Sequence, residues 1–367
     1  MSTEEEYFSQ TDAYPSFETT DLNYDDYVDD INGHFCPHGE LPLLNILISV
    51  LYYVIFIVGS LGNVIVILIM SFKEKRRWRL VDTYVINLAI ADLIFIFSLP
   101  LWGASAAHCH QWNFGNELCK LSSYIIAVNK YSNIFFLTCM SIDRYLTIVK
   151  QLDFKHVRTQ NYSMKISVVV WVTSMLLAIP SAYFRQLHQL NATYCKEDST
   201  SHFYRGFSLI VICPTFVLPI VVILFCYCSI LNRLRDHYVH SKKLLQRREN
   251  SWKIILAIVS GFVLSWLPFN IFKAIDLCLQ FKEVDPSWRV VVTRGLAIAS
   301  CLAFINSCMN PIIYAFLDRN FRLRTSRLST CVFGSIRKRS NSFGSLSIPT
   351  ESSTFPESPK PNPYCIN

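Results

Sequence analysis

Charge is scarce in this 367-residue chain: Asp, Glu, Lys and Arg make up only 17% of it, while 51% is hydrophobic. A soluble protein with one core does not carry so much apolar side chain, so the excess is expected to face lipid. Lysine and arginine are missing altogether from the first 72 residues. A cleavable export signal would begin with basic residues, and this N-terminus is acidic, so the first apolar run is expected to serve as its own insertion signal. Internal repeats and broken, Gly-rich helices are lacking too, which argues against a transporter or channel. No nucleophile with a paired base lies outside the apolar runs, so an enzyme is not expected.

What is present is a succession of long apolar runs. Residues 41–72 hold no charge, 83–116 only Asp92, and 121–142 only Lys130; then come 166–184, 206–232, 254–275 with only Lys273, and 295–317. Each is long enough for the ~20 residues a helix needs to cross hydrocarbon. They are apolar almost all round, without the polar stripe of a soluble helix. The expected fold is an all-α membrane protein, a seven-transmembrane helix bundle over residues 41–317.

Basic residues set the orientation. They follow the first run (Lys73, Lys75, Arg76, Arg77, Arg79), the third (Lys150, Lys155, Arg158), the fifth (Arg233, Arg235, Lys242, Lys243, Arg247, Arg248) and the seventh (319–339). The positive-inside bias makes those segments cytoplasmic and the N-terminus extracellular, as in a multi-pass plasma-membrane protein. After Tyr314, Phe316, Leu317, Phe321, Leu323 and Leu328 alternate with arginines, which predicts a short amphipathic eighth helix on the inner leaflet over 318–331. Cys331 is placed for palmitoylation. Residues 332–367 are Ser/Thr-rich with prolines and are expected to be disordered, with sites for phosphorylation.

The net charge of +7 conceals two populations. Residues 1–40 carry eleven acids and no Lys or Arg, leaving the rest of the chain at +18. Such a tail cannot bury enough apolar surface to fold alone. It suits an extracellular cationic ligand, the plainer alternative being a tail that only aids solubility and export. Tyr7, Tyr24 and Tyr27 lie beside acids, a setting for sulfation. Partners are thus membrane lipid and a cationic ligand, with no nucleic acid expected.

Most of the thirteen cysteines fall inside the apolar runs, where a thiol acts as a small hydrophobe. Cys119, heading the third run, and Cys195, before the fifth, are expected to form a bridge that ties a loop over the bundle. Of Cys36, Cys109 and Cys278, a second bridge between Cys36 and Cys278 is the expectation. Asn191-Ala192-Thr193 is a glycosylation acceptor.

Polar groups inside spans are costly, at ~2.5–3.5 kcal/mol for a charged residue on insertion scales. Asp92 is the clearest. Asn129 and Asn133 share one helical face, as do Asn306 and Asn310. Two readings stay open: a cavity holding a sodium ion against Asp92, or a hydrogen-bond network that only joins helices. Apart from that ion no cofactor or metal is expected.

Gly62-Asn63, the run Asn87 to Asp92, Asp143-Arg144-Tyr145, Trp171, Pro219, Tyr227, Trp266-Leu267-Pro268 and Asn310-Pro311-Ile312-Ile313-Tyr314 occur in this order. The chain resembles the rhodopsin-like G-protein-coupled receptors over roughly residues 43–331. Leu99 to Trp102, Trp112 to Gly115 and the acidic tail are similar to the peptide and chemokine receptor branch. A retinal-binding light sensor would need a lysine in the seventh run, and none lies between Arg294 and Arg319.

The resemblance implies a receptor for an extracellular cationic peptide or chemokine-like protein that signals through a heterotrimeric G protein, an inhibitory one for this branch, with receptor kinases and arrestin acting on the tail over 332–367; the alternative is a decoy that binds ligand without signalling. It implies that Asp143, Arg144, Tyr145, Tyr227 and Tyr314 serve coupling, that Pro268 and Pro311 are hinges, and that Trp266 floors the ligand pocket. Trp102, Tyr124, Lys130, Arg185, Phe269, Lys273, Asp276 and Arg294 are the remaining expected pocket residues, although loop salt bridges would equally explain Arg185, Lys273, Asp276 and Arg294. Lys130, one residue after Asn129, requires an anion. That anion is either the C-terminal carboxylate of a peptide ligand or Asp92; a snorkelling lysine is disfavoured so far from either interface.

Overall fold

The computed structural model describes residues 42–71, 80–150, 160–189, 192–198, 202–237, 242–279, 286–318 and 321–326. The acidic tail over 1–40, Cys36, Asn191, Cys331 and the tail over 332–367 lie outside the described residues.

Seven helices are long and apolar enough to cross a membrane: Leu43–Ser71, Leu80–Ala107, Gly115–Ile148, Asn161–Tyr183, His202–Arg233, Lys253–Leu279 and Ser287–Leu317. They are called the first to seventh spans below. Helices suit this solvent because every backbone group must be satisfied within the segment. The spans present Leu, Ile, Val and Phe outward, among them Leu61, Val169, Ile210 and Leu264. The third span is central and packs Ile134, Phe136, Leu137 and Met140 into the main core with Phe216, Ile223, Phe262 and Trp266. Gly62 lets the first span close on the seventh, where an added Cβ would meet the Pro311 ring at 2.8 Å.

Four spans depart from a plain helix in ways that matter for the site. The second breaks after Ile96 and restarts at Leu99, with Pro100 in the new first turn and the Ser98 hydroxyl donating to the Phe95 carbonyl at 2.7 Å. Proline supplies no N–H, so the chain turns there and aims Trp102 inward. The fifth carries a π-helical turn at Cys213–Val217, begun around Pro214, which buries Thr215 and Phe216 just before Pro219. Pro268 and Pro311 lie inside the sixth and seventh spans.

Between the fourth and fifth spans lies a hairpin of β1 (Arg185–Gln189) and β2 (Thr193–Glu197), antiparallel, with Arg185 opposite Glu197 and Leu187 opposite Cys195. Cys195 is bridged to Cys119 at the head of the third span, with Cα atoms 5.7 Å apart. The second expected bridge is corrected: Cys278 is an exposed free thiol, whereas Cys109 is disulfide-bonded. Cys109 sits in a tight turn with φ 53°, beside the segment that pairs with the hairpin through Gln111 and Tyr194. At the opposite end of the bundle, Phe321 to Ser326 form a short helix after the seventh span, Phe321 being buried against Tyr314. Residues 327–331 of the expected eighth helix lie outside the described residues.

Candidate functional site

The polar centre of the bundle gathers on Asp92, which is fully buried. Its Oδ1 accepts from Asn129 at 3.0 Å, Asn133 at 2.9 Å and the Ser307 hydroxyl at 2.9 Å, and its Oδ2 accepts from Asn310 at 2.9 Å. Three spans are tied to one carboxylate. Asn306 is buried in the same helix, but the hydroxyl that reaches Asp92 belongs to Ser307, one residue on and about 100° further round the helix. Ser307 escaped sequence reasoning because a lone serine in an apolar helix carries no pattern. Asn63 joins the cluster from the first span, donating to the Ser307 carbonyl at 2.9 Å.

Toward the hairpin, Lys130 extends from the third span into an aromatic box. Its Nζ donates to Asn270 Oδ1 at 2.9 Å and lies 5.6 Å from the Trp266 ring and 5.3 Å from that of Phe269. Cation–π attraction supports an ammonium there. Among the described residues no carboxylate pairs with it, so the alternative in which Lys130 engages Asp92 is not the observed arrangement. The indole Nε1 atoms of Trp266 and Trp102 are buried without a hydrogen-bond partner among the described residues.

Above this box sits a second charged layer. Glu197 at the end of β2 pairs with Lys273, and with Arg185 at 3.4 Å, while Lys273 also lies 4.0 Å from Asp276. Arg185 stacks over Trp102 at 5.3 Å, and Trp102 packs on Trp112 at 4.9 Å. Burial alone would raise the Glu197 carboxyl, but Lys273 and then Arg185 outweigh it and lower it to about 2 from an ordinary 4.5. Glu197 was not foreseen from the sequence; its only cue was standing two residues past the bridged Cys195.

A folded pKa below the ordinary value means that the pairing adds stability above pH 4.5 and loses it as pH falls toward 2. The melting-temperature gap between wild type and Glu197→Gln should therefore stay constant from about pH 5 to 8 and close below 4.5. A gap that is unchanged in acid would contradict this pairing.

The other expected pocket residues divide. Tyr124 turns to the fourth span and donates to the Met175 carbonyl at 3.2 Å, away from the Lys130 box. Arg294 is exposed.

At the far end of the bundle, Asp143 and Arg144 are buried, and Tyr145 packs on Phe225 at 5.7 Å. Arg144, Tyr314, Asp82 and Asp318 border a cavity of about 30 Å³ with apolar side chains between them. The hydroxyls of Tyr227 and Tyr314 are buried with no hydrogen-bond partner among the described residues. Between the two ends, Trp266 stacks on Phe262 at 6.0 Å, and Phe262, Ile134 and Pro219 are all buried.

The family model described as 7 transmembrane receptor (rhodopsin family) matches residues 62–314. The chain is 35% identical over 360 residues to the apelin receptor of Xenopus tropicalis, covering 94% of this chain and 97% of that one. It is 34% identical over 327 residues to G-protein coupled receptor 15 of Mus musculus, covering 88% and 91%. Against apelin receptor A of Danio rerio it is 36% identical over 323 residues, covering 84% and 88%. The chain belongs to the rhodopsin family of seven-transmembrane receptors.

Proposed function

We propose that this receptor reports an extracellular peptide or small chemokine-like protein to a cytoplasmic inhibitory G protein. The observation that carries the ligand class is Lys130, an ammonium deep in the bundle, held by rings and an amide, with no acidic partner among the described residues. A peptide's C-terminal carboxylate is the anion that can be delivered there by a chain threading past Trp102, Arg185 and Lys273. The acidic tail over 1–40, read as extracellular, attracts the cationic body of the same ligand. Similarity to an apelin receptor and to G-protein coupled receptor 15 supports the peptide reading.

Binding at Lys130 acts on Trp266, two residues before Pro268, where the missing backbone hydrogen bond makes a pivot for the sixth span. Ligand can favour the pivoted packing only by binding it better than the resting one. Arg144, Tyr227 and Tyr314 then rearrange at the cytoplasmic end, in a plasma membrane with the N-terminus outside. The Asp92 cluster fits an allosteric sodium ion in its chemistry. The carboxylate, the Ser307 hydroxyl and the Asn133 Oδ1, which has no partner among the described residues, are hard oxygen donors. With sodium present, Asp92 and these neighbours would hold the three spans in the resting packing.

The test is cyclic-AMP suppression in cells expressing the chain, challenged with a panel of cationic peptides and chemokine-like proteins. Suppression abolished by pertussis toxin is expected. Saturable uptake of one of these ligands with no such signal would replace this reading with a decoy receptor.

A further inference from the structure

We infer that Asn270 is a positioning residue that latches the sixth span to the third through Lys130, and that an incoming carboxylate opens this latch; the second part rests on the peptide reading above. Asn270 is buried and uses both ends of its amide. Its Oδ1 accepts from Lys130 Nζ at 2.9 Å, and its Nδ2 donates to the Trp266 carbonyl at 2.8 Å. One side chain therefore joins the third-span ammonium to the backbone of the residue two positions before Pro268. The hinge lies within the same stretch of helix, since Pro268 has no N–H for the Leu264 carbonyl four residues before it.

The ammonium has three N–H donors, so a carboxylate opens the latch by drawing Lys130 to a new position rather than by exhausting its donors. While it points at Asn270 and the faces of Trp266 and Phe269, the sixth span is drawn onto the third. A carboxylate is a stronger acceptor than an amide for an ammonium. Once one arrives, Lys130 turns to it, Asn270 loses its acceptor role, and the span is released at the hinge. Ligands ending in a carboxylate are thus selected over neutral-ended ones by the same contact that starts the motion.

The experiment measures the distance between the fourth and sixth spans by pulsed electron resonance, on full-length receptor in lipid discs without added ligand. Thiol-independent labels go at Tyr162 and Lys253, because several free cysteines lie along the spans. Asn270→Leu and Lys130→Met each remove the latch from one side and should raise the long-distance population roughly tenfold, the order expected for one charge-assisted bond. The double variant should go no further than either alone. Asn270→Asp replaces the amide with an ion pair and should shrink that population below wild type. A merely structural role for Asn270 would not move opposite variants in opposite directions.

Wild-type distances in Asn270→Leu and Lys130→Met, additive shifts in the double variant, or the same direction in all variants would overturn the latch. Nucleotide exchange on a G protein is read in parallel. Shifted distances with no exchange from any form would leave the latch standing and remove the G-protein reading, whereas exchange with unshifted distances would remove the latch alone.

Discussion

Lys130→Met should weaken a peptide agonist with a free C-terminal carboxylate by about 10- to 100-fold, the range expected from losing one charge-assisted hydrogen bond worth ~1.5–3 kcal/mol. Methionine keeps the length and apolar stem of the side chain, so the aromatic box of Trp266 and Phe269 stays filled. The same peptide with an amidated C-terminus should be poor on wild type and should lose nothing further on Lys130→Met. That non-additivity separates a direct contact from general damage to the pocket. Equal potency of the acid peptide on both receptors would show that the carboxylate is bound elsewhere, Arg185 and Lys273 being the nearest alternatives. Those two are already engaged by Glu197, which is why the deeper cation is the better donor to a ligand carboxylate.

The second large effect concerns the Cys119–Cys195 bridge. It closes a separation of 76 residues, and a loop of that length corresponds to roughly 4 kcal/mol of chain entropy removed from the unfolded state. Cys119→Ser should lower the melting temperature by several degrees or more and cut the amount reaching the cell surface. It should also loosen β2, so that Glu197 no longer holds Arg185 and Lys273 in place, and ligand affinity should fall in the receptor that survives. Thermal melting and surface labelling together check this; an unchanged melting temperature would mean that the hairpin is held by its other contacts, chiefly Trp112 on the Thr193 carbonyl.

The spans were legible because a run free of charge is a direct consequence of burial in hydrocarbon: 41–72 was read to within a few residues of the helix observed, while 295–317 caught the end of the seventh span but began eight residues after its start at Ser287. Their ends were less so. The run 83–116 includes a turn at 108–114, because neutral loop residues look like span residues when charge is the only signal. The third and sixth helices extend past their apolar runs into polar segments, where helix continuity costs nothing that composition records. The break at Phe97-Ser98 and the π-turn at Cys213–Val217 follow from Pro100 and Pro214, but proline alone does not say whether a helix kinks, stops or adds a residue.

The site was legible where residues are polar against an apolar background. Asp92, Asn129, Asn133 and Asn310 meet as their spacing suggested, and Lys130 lies against Trp266. What escaped was set by tertiary register. Ser307 in place of Asn306 is one step of helix rotation. Glu197 depends on which residue of β2 faces Arg185, and that depends on the bridge at Cys195. Tyr124 faces the fourth span because the third span's rotation is fixed by the buried amides below it. Asn270 was invisible as an individual residue until its partner 140 positions away was known.

Coupling of ligand to a G protein is tested by nucleotide exchange on a purified inhibitory G protein. Receptor in lipid discs is driven by a peptide agonist from the cyclic-AMP panel, with wild type compared with Arg144→Ala. Agonist-dependent exchange by wild type and its loss in Arg144→Ala are expected, with ligand binding retained in both. Saturable binding of the peptide with no exchange by wild type would rule out coupling to this G protein.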